Sequence, residues 1–501
     1  MGVFMLVIRQ IWWLFIGPLR TIIRPNVERV STLESNFTPV SLILVRVFCL
    51  PTLALVLFFT HTNSAVADAY ADKSLTLSKA IQQAIDNDDW LVGSQYAQQA
   101  TLAMAESAYE LADPKFSLAL ANLPTDTLDF NQEAMTQLVA GVSQVYPRGD
   151  SRRLKRQQLQ QQSDRQPLLR YEREAKVALT ITQIWLDAFQ ARQSALLIEQ
   201  NRALFDQLVD ISLASYSSAW GNTRQQDLLQ AQLEQTRIED RLTRLAQMQE
   251  MAEQKLLEWL MPSGTNFSAE ANQSSGYASE QPQLKSKYDE YWQGKPPSNS
   301  ELANYLVRHP SIQKFEQSIA VAGTEVQLAE QKYRPEWSVR ASYGYRGADM
   351  SGRDRADLLS AGVTVSMPLF SSIKQDKEVE AAVASQEKAR TDRSLMIKQM
   401  MAAFYSTRSQ LERLDQRQLL FKNKLLPQVQ QQTEATLNAY ESDNGSFTEV
   451  VRSRIGELNA QIEYLEINVA RQKQIAQLNY FLTSAESGAT TTSLSTSGVK
   501  Q

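Results

Sequence analysis

The chain has 501 residues, with 51 Lys and Arg against 55 Asp and Glu and a formal net charge of −4. Its 43% hydrophobic and 21% charged residues exclude a disordered chain, a collagen and a polytopic helical membrane protein. A near-neutral charge gives no reason to expect a nucleic-acid partner, which needs a basic stripe.

Cysteine and histidine are scarce: Cys49, His61 and His309. A disulfide framework within the chain is excluded, and a zinc site built on Cys and His lacks ligands. His309 is the one histidine beyond the leader, and its expected role is structural. No loop of the kind that cradles phosphate is found. No cofactor, metal site or catalytic set is expected.

In chain order, residues 1–67 read as a leader. Arg46 precedes the apolar run Val47–Phe59, and Ala65-Val66-Ala67 fits a small-x-small cleavage site before Asp68. The run is short for a membrane span, which takes about 20 apolar residues. Residues 1–40 fit no signal peptide, so their translation is in doubt. Cys49 lies inside the run, and no N-terminal lipid is expected. Without the leader, 46 basic and 53 acidic residues remain and no cysteine, as suits an exported chain.

The remainder reads as a duplication. Asp113-Pro114-Lys115-Phe116-Ser117-Leu118 aligns with Arg334-Pro335-Glu336-Trp337-Ser338-Val339, and Gly141 and Pro147 align with Gly362 and Pro368, all at one constant offset. Tyr216 and Gly221 align with Tyr440 and Gly445 at a slightly larger one. The expected organisation is a first repeat over 68–260, a linker or surface segment over 261–300, a second repeat over 301–483 and a disordered tail over 484–501. Each repeat is predicted to run helix (Leu77–Ala112; Leu302–Lys332), strand pair, long helix pair.

Prolines 114, 147, 335 and 368 mark the strand boundaries. Glu336–Tyr345 alternates Trp337, Val339, Ala341, Tyr343 and Tyr345 with polar or small residues. Leu358–Met367 does the same, which is the pattern of a sheet with one dry and one wet face. The first pair, Lys115–Asn122 and Gln137–Tyr146, alternates less well. Strands of about 10 residues suit a tilted transmembrane barrel as well as a soluble sandwich. Four strands alone cannot close in lipid, so a spanning reading requires several chains to share one barrel.

Ser151–Tyr216 and Ser371–Tyr440 contain no glycine and one proline each, Pro167 and Pro427. Helices of some 65 residues reach about 100 Å, longer than a globular core needs. On the returning helices, Val451, Ile455, Leu458, Ile462, Leu465 and Val469 step by four and three. So does the series from Ala231 to Trp259, with polar breaks at Gln235 and Gln249. The spacing argues for coiled-coil packing.

With this plan, its prolines and its Tyr-x4-Gly turns, the chain resembles the TolC family of outer-membrane efflux channels over Leu75–Leu482. The resemblance implies a mainly α fold with a small β part. Long coiled-coil-like helices would form an α-barrel tunnel in the periplasm, and four strands per chain would contribute to a shared trimeric transmembrane β-barrel in outer-membrane lipid. It implies a homotrimer working with a periplasmic adaptor protein and an inner-membrane proton-driven pump, passing substrate without catalysis. Gly141-Val142-Ser143-Gln144, Pro147–Arg153, Arg308-His309-Pro310, Tyr333-Arg334-Pro335 and Met367–Phe370 resemble the heavy-metal efflux branch related to CzcC, which implies metal cations as cargo. Export of drugs, small molecules or polypeptides is the alternative, and a periplasmic coiled-coil adaptor a further one. The expected barrel lining is Ser338, Arg340, Ser342, Ser360, Thr364 and Ser366. The periplasmic entrance is expected at the helix-turn glycines Gly221 and Gly445, with Asp227, Glu449 and Arg454 as its charged candidates.

Overall fold

The computed structural model describes residues 75–217, 225–262, 281–442 and 444–484. The leader, Gly221, and nearly all of the expected tail lie outside the described residues, as does the side chain of Asp227. All described residues belong to one compact unit within Tyr70–Gln501.

In chain order the elements are α1 (Leu77–Asp86), α2 (Asp89–Tyr109), β1 (Lys115–Ala121), β2 (Gln137–Tyr146), α3 (Ser151–Ser217) and α4 (Gln225–Leu260). Then come α5 (Lys287–Trp292), α6 (Asn299–Leu306), α7 (Pro310–Glu330), β3 (Glu336–Tyr345) and β4 (Leu358–Ser366). The chain ends with α8 (Ile373–Leu420), α9 (Leu426–Glu441) and α10 (Phe447–Phe481). Among the described residues no helix is long and apolar enough to cross a membrane.

The strands form one antiparallel sheet in the order β1-β2-β3-β4. Its edges, β1 and β4, have no partner strand among the described residues, and each strand starts or stops within two residues of a predicted proline. The long helices pack beside one another: α3 against α2, α4, α7 and α10, and α8 against α7 and α10. At 67 residues, α3 reaches about 100 Å.

The heptad stripe on α10 is the seam. Val451, Leu458, Ile462 and Val469 are buried, with Ile455 and Leu465 packed beside them. On α4 the polar break Gln235 is absorbed by a bond from its Nε2 to Asp206 Oδ1 on α3 (2.9 Å). The polar residue in the stripe thus ties two helices instead of opening a gap.

Three predicted helices are interrupted, each for a local reason. Leu77–Ala112 breaks at Asn87-Asp88, because the Asp88 carboxylate accepts from Trp90 N (3.1 Å) and starts a new helix. Leu302–Lys332 breaks at His309, because Pro310 disfavours helical backbone in the residue before it and takes the first position of α7. Ser371–Tyr440 contains a π turn over Phe421–Leu425. The turn lies just before Pro427, which has no N–H for the i−4 carbonyl.

The segment expected as a linker contributes to the core in its described part. Tyr288 on α5 is buried with Leu302, Leu306, Ile312, Phe404 and Leu478, and Trp292 packs against them. Arg408 Nε donates to the Tyr288 hydroxyl (2.8 Å).

Candidate channel lining

The register carries one chemistry across all four strands. Phe116 lies opposite Val142 and Val142 opposite Ala341; Leu118, Ala140, Tyr343 and Leu359 form a second apolar row. Trp337, Val339 and Val363 share this face. The described residues leave it largely uncovered: Phe116 is 79% exposed and Leu359 81%. Tyr146 pairs with Trp337 at the helix end of the sheet, and Tyr343 and Tyr345 lie toward the loop end. Apolar residues between two aromatic rims are the pattern that the outer surface of a membrane barrel carries. Nine steps of about 3.4 Å, tilted by about 40°, give β3 a height of about 24 Å, close to that band.

The opposite face is mainly polar or small, with one apolar row, Ala119, Val139, Gly344 and Leu358. Its rows include Ser117, Gly141, Ser342 and Ser360, then Val145, Ser338 and Thr364, and then Glu336 and Ser366. The register thus brings all six expected lining residues, Arg340 among them, onto one face.

Both ends of the sheet are tied. At the loop end Arg355 Nη1 donates to the carbonyls of Asn131 (3.3 Å) and Glu133 (3.0 Å), and the Phe130 ring stacks on Tyr345 at 6.2 Å. At the helix end Arg148 donates to Lys332 O (2.6 Å) and to Ser366 Oγ (3.3 Å). The basic start of α3, singled out in the sequence, therefore holds β2 against the start of β3 and the end of β4.

The second candidate region is the turn between α9 and α10. Gly445 is there because a Cβ would stand 2.9 Å from Tyr440 N and 3.1 Å from Ala439 C, both backbone atoms. Ser446 caps α10 by accepting from Glu449 N (3.3 Å). Glu449 lies in the first helical turn, where the helix dipole favours an acid. Arg454 pairs with Glu457 (3.1 Å), not with Glu449, and both members are largely covered. Asp227 stands in the first turn of α4. Sequence reasoning brought out the acids and passed over Glu457, which its i,i+3 spacing from Arg454 could have indicated.

His309 has the structural role expected of it. Nδ1 accepts from Ser311 N (3.1 Å), so the ring proton sits on Nε2, which donates to Tyr480 O (3.0 Å). Burial pushes its pKa down to about 4, against the backbone bond to Tyr480 and the charge of Glu172. Burial raises the Glu172 carboxyl, but Lys176 and Lys314 outweigh it and hold the group below the usual range.

Among the described residues no His, Cys, Asp and Glu group could hold a metal ion. The sequence model of the outer membrane efflux protein family matches residues 302–482. No curated protein matches the chain. Its fold is similar to that of the CusC channel (TM-score 0.62, 14% identity, 82% of this chain and 93% of that one). It is similar to the outer membrane protein VceC of Vibrio cholerae (0.63, 13%, 82% and 96%). It also matches the CmeC outer membrane channel of Campylobacter jejuni (0.65, 12%, 83% and 88%). Residues 302–482 thus match the outer membrane efflux protein family, in a chain whose fold, a helical body and a small sheet, is similar to that of outer-membrane channels.

Proposed function

We propose that this protein is the outer-membrane channel subunit of a tripartite efflux system. Three chains close one barrel from their sheets, and the helices continue it as a periplasmic tunnel that meets an adaptor protein and a proton-driven inner-membrane pump. The observation that carries the reading is the sheet itself. Its apolar face is bare, its opposite face carries the strand serines, Thr364 and all three strand charges, and among the described residues both edges are open. Open edges are not tolerated in lipid, so β4 of one chain pairs with β1 of the next. The two halves are read as a duplication that supplies one strand pair and one helix pair each. Conduction is passive, by many weak polar contacts, since a tight site would trap the solute.

For cargo, the sequence resemblance favours heavy-metal cations. One feature of the sheet, the cations Lys115 and Arg340 on its polar face, favours small anionic or neutral molecules instead. Growth of a deletion strain on metal salts, detergents and antibiotics separates the two: metal sensitivity restored by the gene supports the first, drug sensitivity the second. The channel reading is tested by replacing Val363, on the bare face, with arginine. An arginine at mid-membrane depth costs about 2–4 kcal/mol, so V363R should fail to give the detergent-extracted trimer. A water-soluble wild-type monomer would overturn the reading.

A further inference from the structure

We infer that Lys115 and Arg340 form a charge-selective layer of the conduit that favours anions over cations. This rests on the proposed reading that three chains close a barrel with the polar face inward.

The register puts Lys115 opposite Ser143, Ser143 opposite Arg340 and Arg340 opposite Gly362. One row across all four strands therefore carries two cations and no acid. Lys115, Glu336 and Arg340 are the charged residues of the four strands. Glu336 lies four residues from Arg340 along β3, about 14 Å away at strand rise. Among the described residues neither Lys115 nor Arg340 forms an ion pair, so both charges are free to act on a solute.

The neighbouring rows are short-chained: Ser117, Gly141, Ser342 and Ser360 on one side, Val145, Ser338 and Thr364 on the other. The Arg340 side chain lies across Gly362, where a Cβ would stand 3.0 Å from its Nε and 3.5 Å from its Cγ. A glycine there keeps the guanidinium at the level of this row.

The dimensions set the effect. Twelve strands about 4.8 Å apart and tilted by about 40° close a barrel about 24 Å across. The tilt displaces Lys115 from Arg340 by about 6 Å in height, less than the reach of either side chain. Long side chains from all sides narrow the opening to about 12 Å. Its axis is then within one Debye length of the wall, about 8 Å at physiological salt. Two cations per chain in this layer repel bare metal cations and draw in anions, as basic rings do in anion pores.

The test is the reversal potential of the purified full-length protein in planar bilayers across a potassium chloride gradient. The variants are Lys115→Gln, Arg340→Gln, their combination, and Glu336→Gln. The expected result is a chloride-to-potassium permeability ratio that falls about threefold in the double variant. Each single variant should fall part of the way, and E336Q should shift in the opposite sense. An unchanged reversal potential in a conducting double variant overturns the layer and leaves the channel reading intact. Absence of conductance from the wild type overturns the channel reading and the layer with it. Unaltered heat dissociation of the variants' trimers shows that the substitutions act on the lumen and not on folding.

Discussion

The two halves of the chain solve the same problem with different chemistry. Each begins with a short helix that must stop and a longer one that must start, at Asp88 in the first half and His309 in the second, a pair with the same offset as the strands. Both side chains accept from the backbone N–H two residues on. Asp88 then pairs with Arg173 (2.6 Å) on α3. His309 instead donates to Tyr480 O on α10 and stays neutral. A cap paired with a guanidinium and a cap bonded to a backbone carbonyl therefore stand at matched places, and burial of the second gives its protonation a cost that pH can reveal. The halves also differ further along. The offset between them has grown at the helix starts, Ser151 and Ile373, and has grown again at the turns, Gly221 and Gly445. The second half therefore has surplus residues, and its π turn at Phe421–Leu425 takes up part of them, where α3 runs unbroken.

The strongest test of this contrast is Asp88→Ala. It removes a helix cap and leaves Arg173 without its partner, at about 3 kcal/mol. Asp88→Asn keeps the cap, and thermal unfolding in detergent should show about 1 kcal/mol. Equal losses would mean that the ion pair, not the cap, holds this junction.

Acid should act on the other half. The folded pKa of His309, about 4, lies below the ordinary 6.5, so the unfolded chain binds the extra proton between those values. The stabilisation is complete above pH 6.5 and is lost as pH falls toward 4. Between pH 7.5 and 5.0 the loss is about 2 kcal/mol. The charged or titratable groups near the ring are Glu172, Lys176, Lys314 and Tyr480. His309→Asn retains a good cap without titration. Its melting temperature should fall less over this range than that of the wild type; an identical fall would locate the acid sensitivity elsewhere.

Gly445→Ala should cost about 1.5 kcal/mol by forcing a Cβ against two backbone atoms. Limited proteolysis should then open the α9–α10 turn while leaving the sheet untouched. The smallest effect is expected at Pro427→Ala. Its counterpart, at the offset of the turns, is Ala203, inside the continuous α3. Stability should change by less than about 1 kcal/mol, because the π turn already accommodates the missing N–H. A larger loss would show that the proline itself shapes the helix.

Much of this was legible in the chain. Strand limits followed from four prolines, the β3 and β4 faces from strict alternation, and the α10 seam from its heptads. The caps at Asp88 and His309-Pro310 were readable signals that a long apolar stretch obscured. Other features had no sequence signal. In β1 Phe116, Leu118 and Leu120 share a face, which puts Lys115 on the other, but its place in the row of Arg340 follows only from the pairing through β2. Nothing near Tyr288 announces a core residue; its burial comes from Phe404 and Leu478, which lie far along the chain. The pairing of Arg454 with Glu457, which weakens Arg454 as a bare entrance charge, is the exception, since its i,i+3 spacing was a signal that went unused.

The sequence by itself determined element type and the strand limits, because periodicity, proline and capping residues act within a few neighbours of each position. The tertiary structure decided which polar residues share a layer, which buried histidine stays neutral and which surfaces are left bare. Those properties depend on register and on contacts between residues far apart in the chain, where local propensity carries no information.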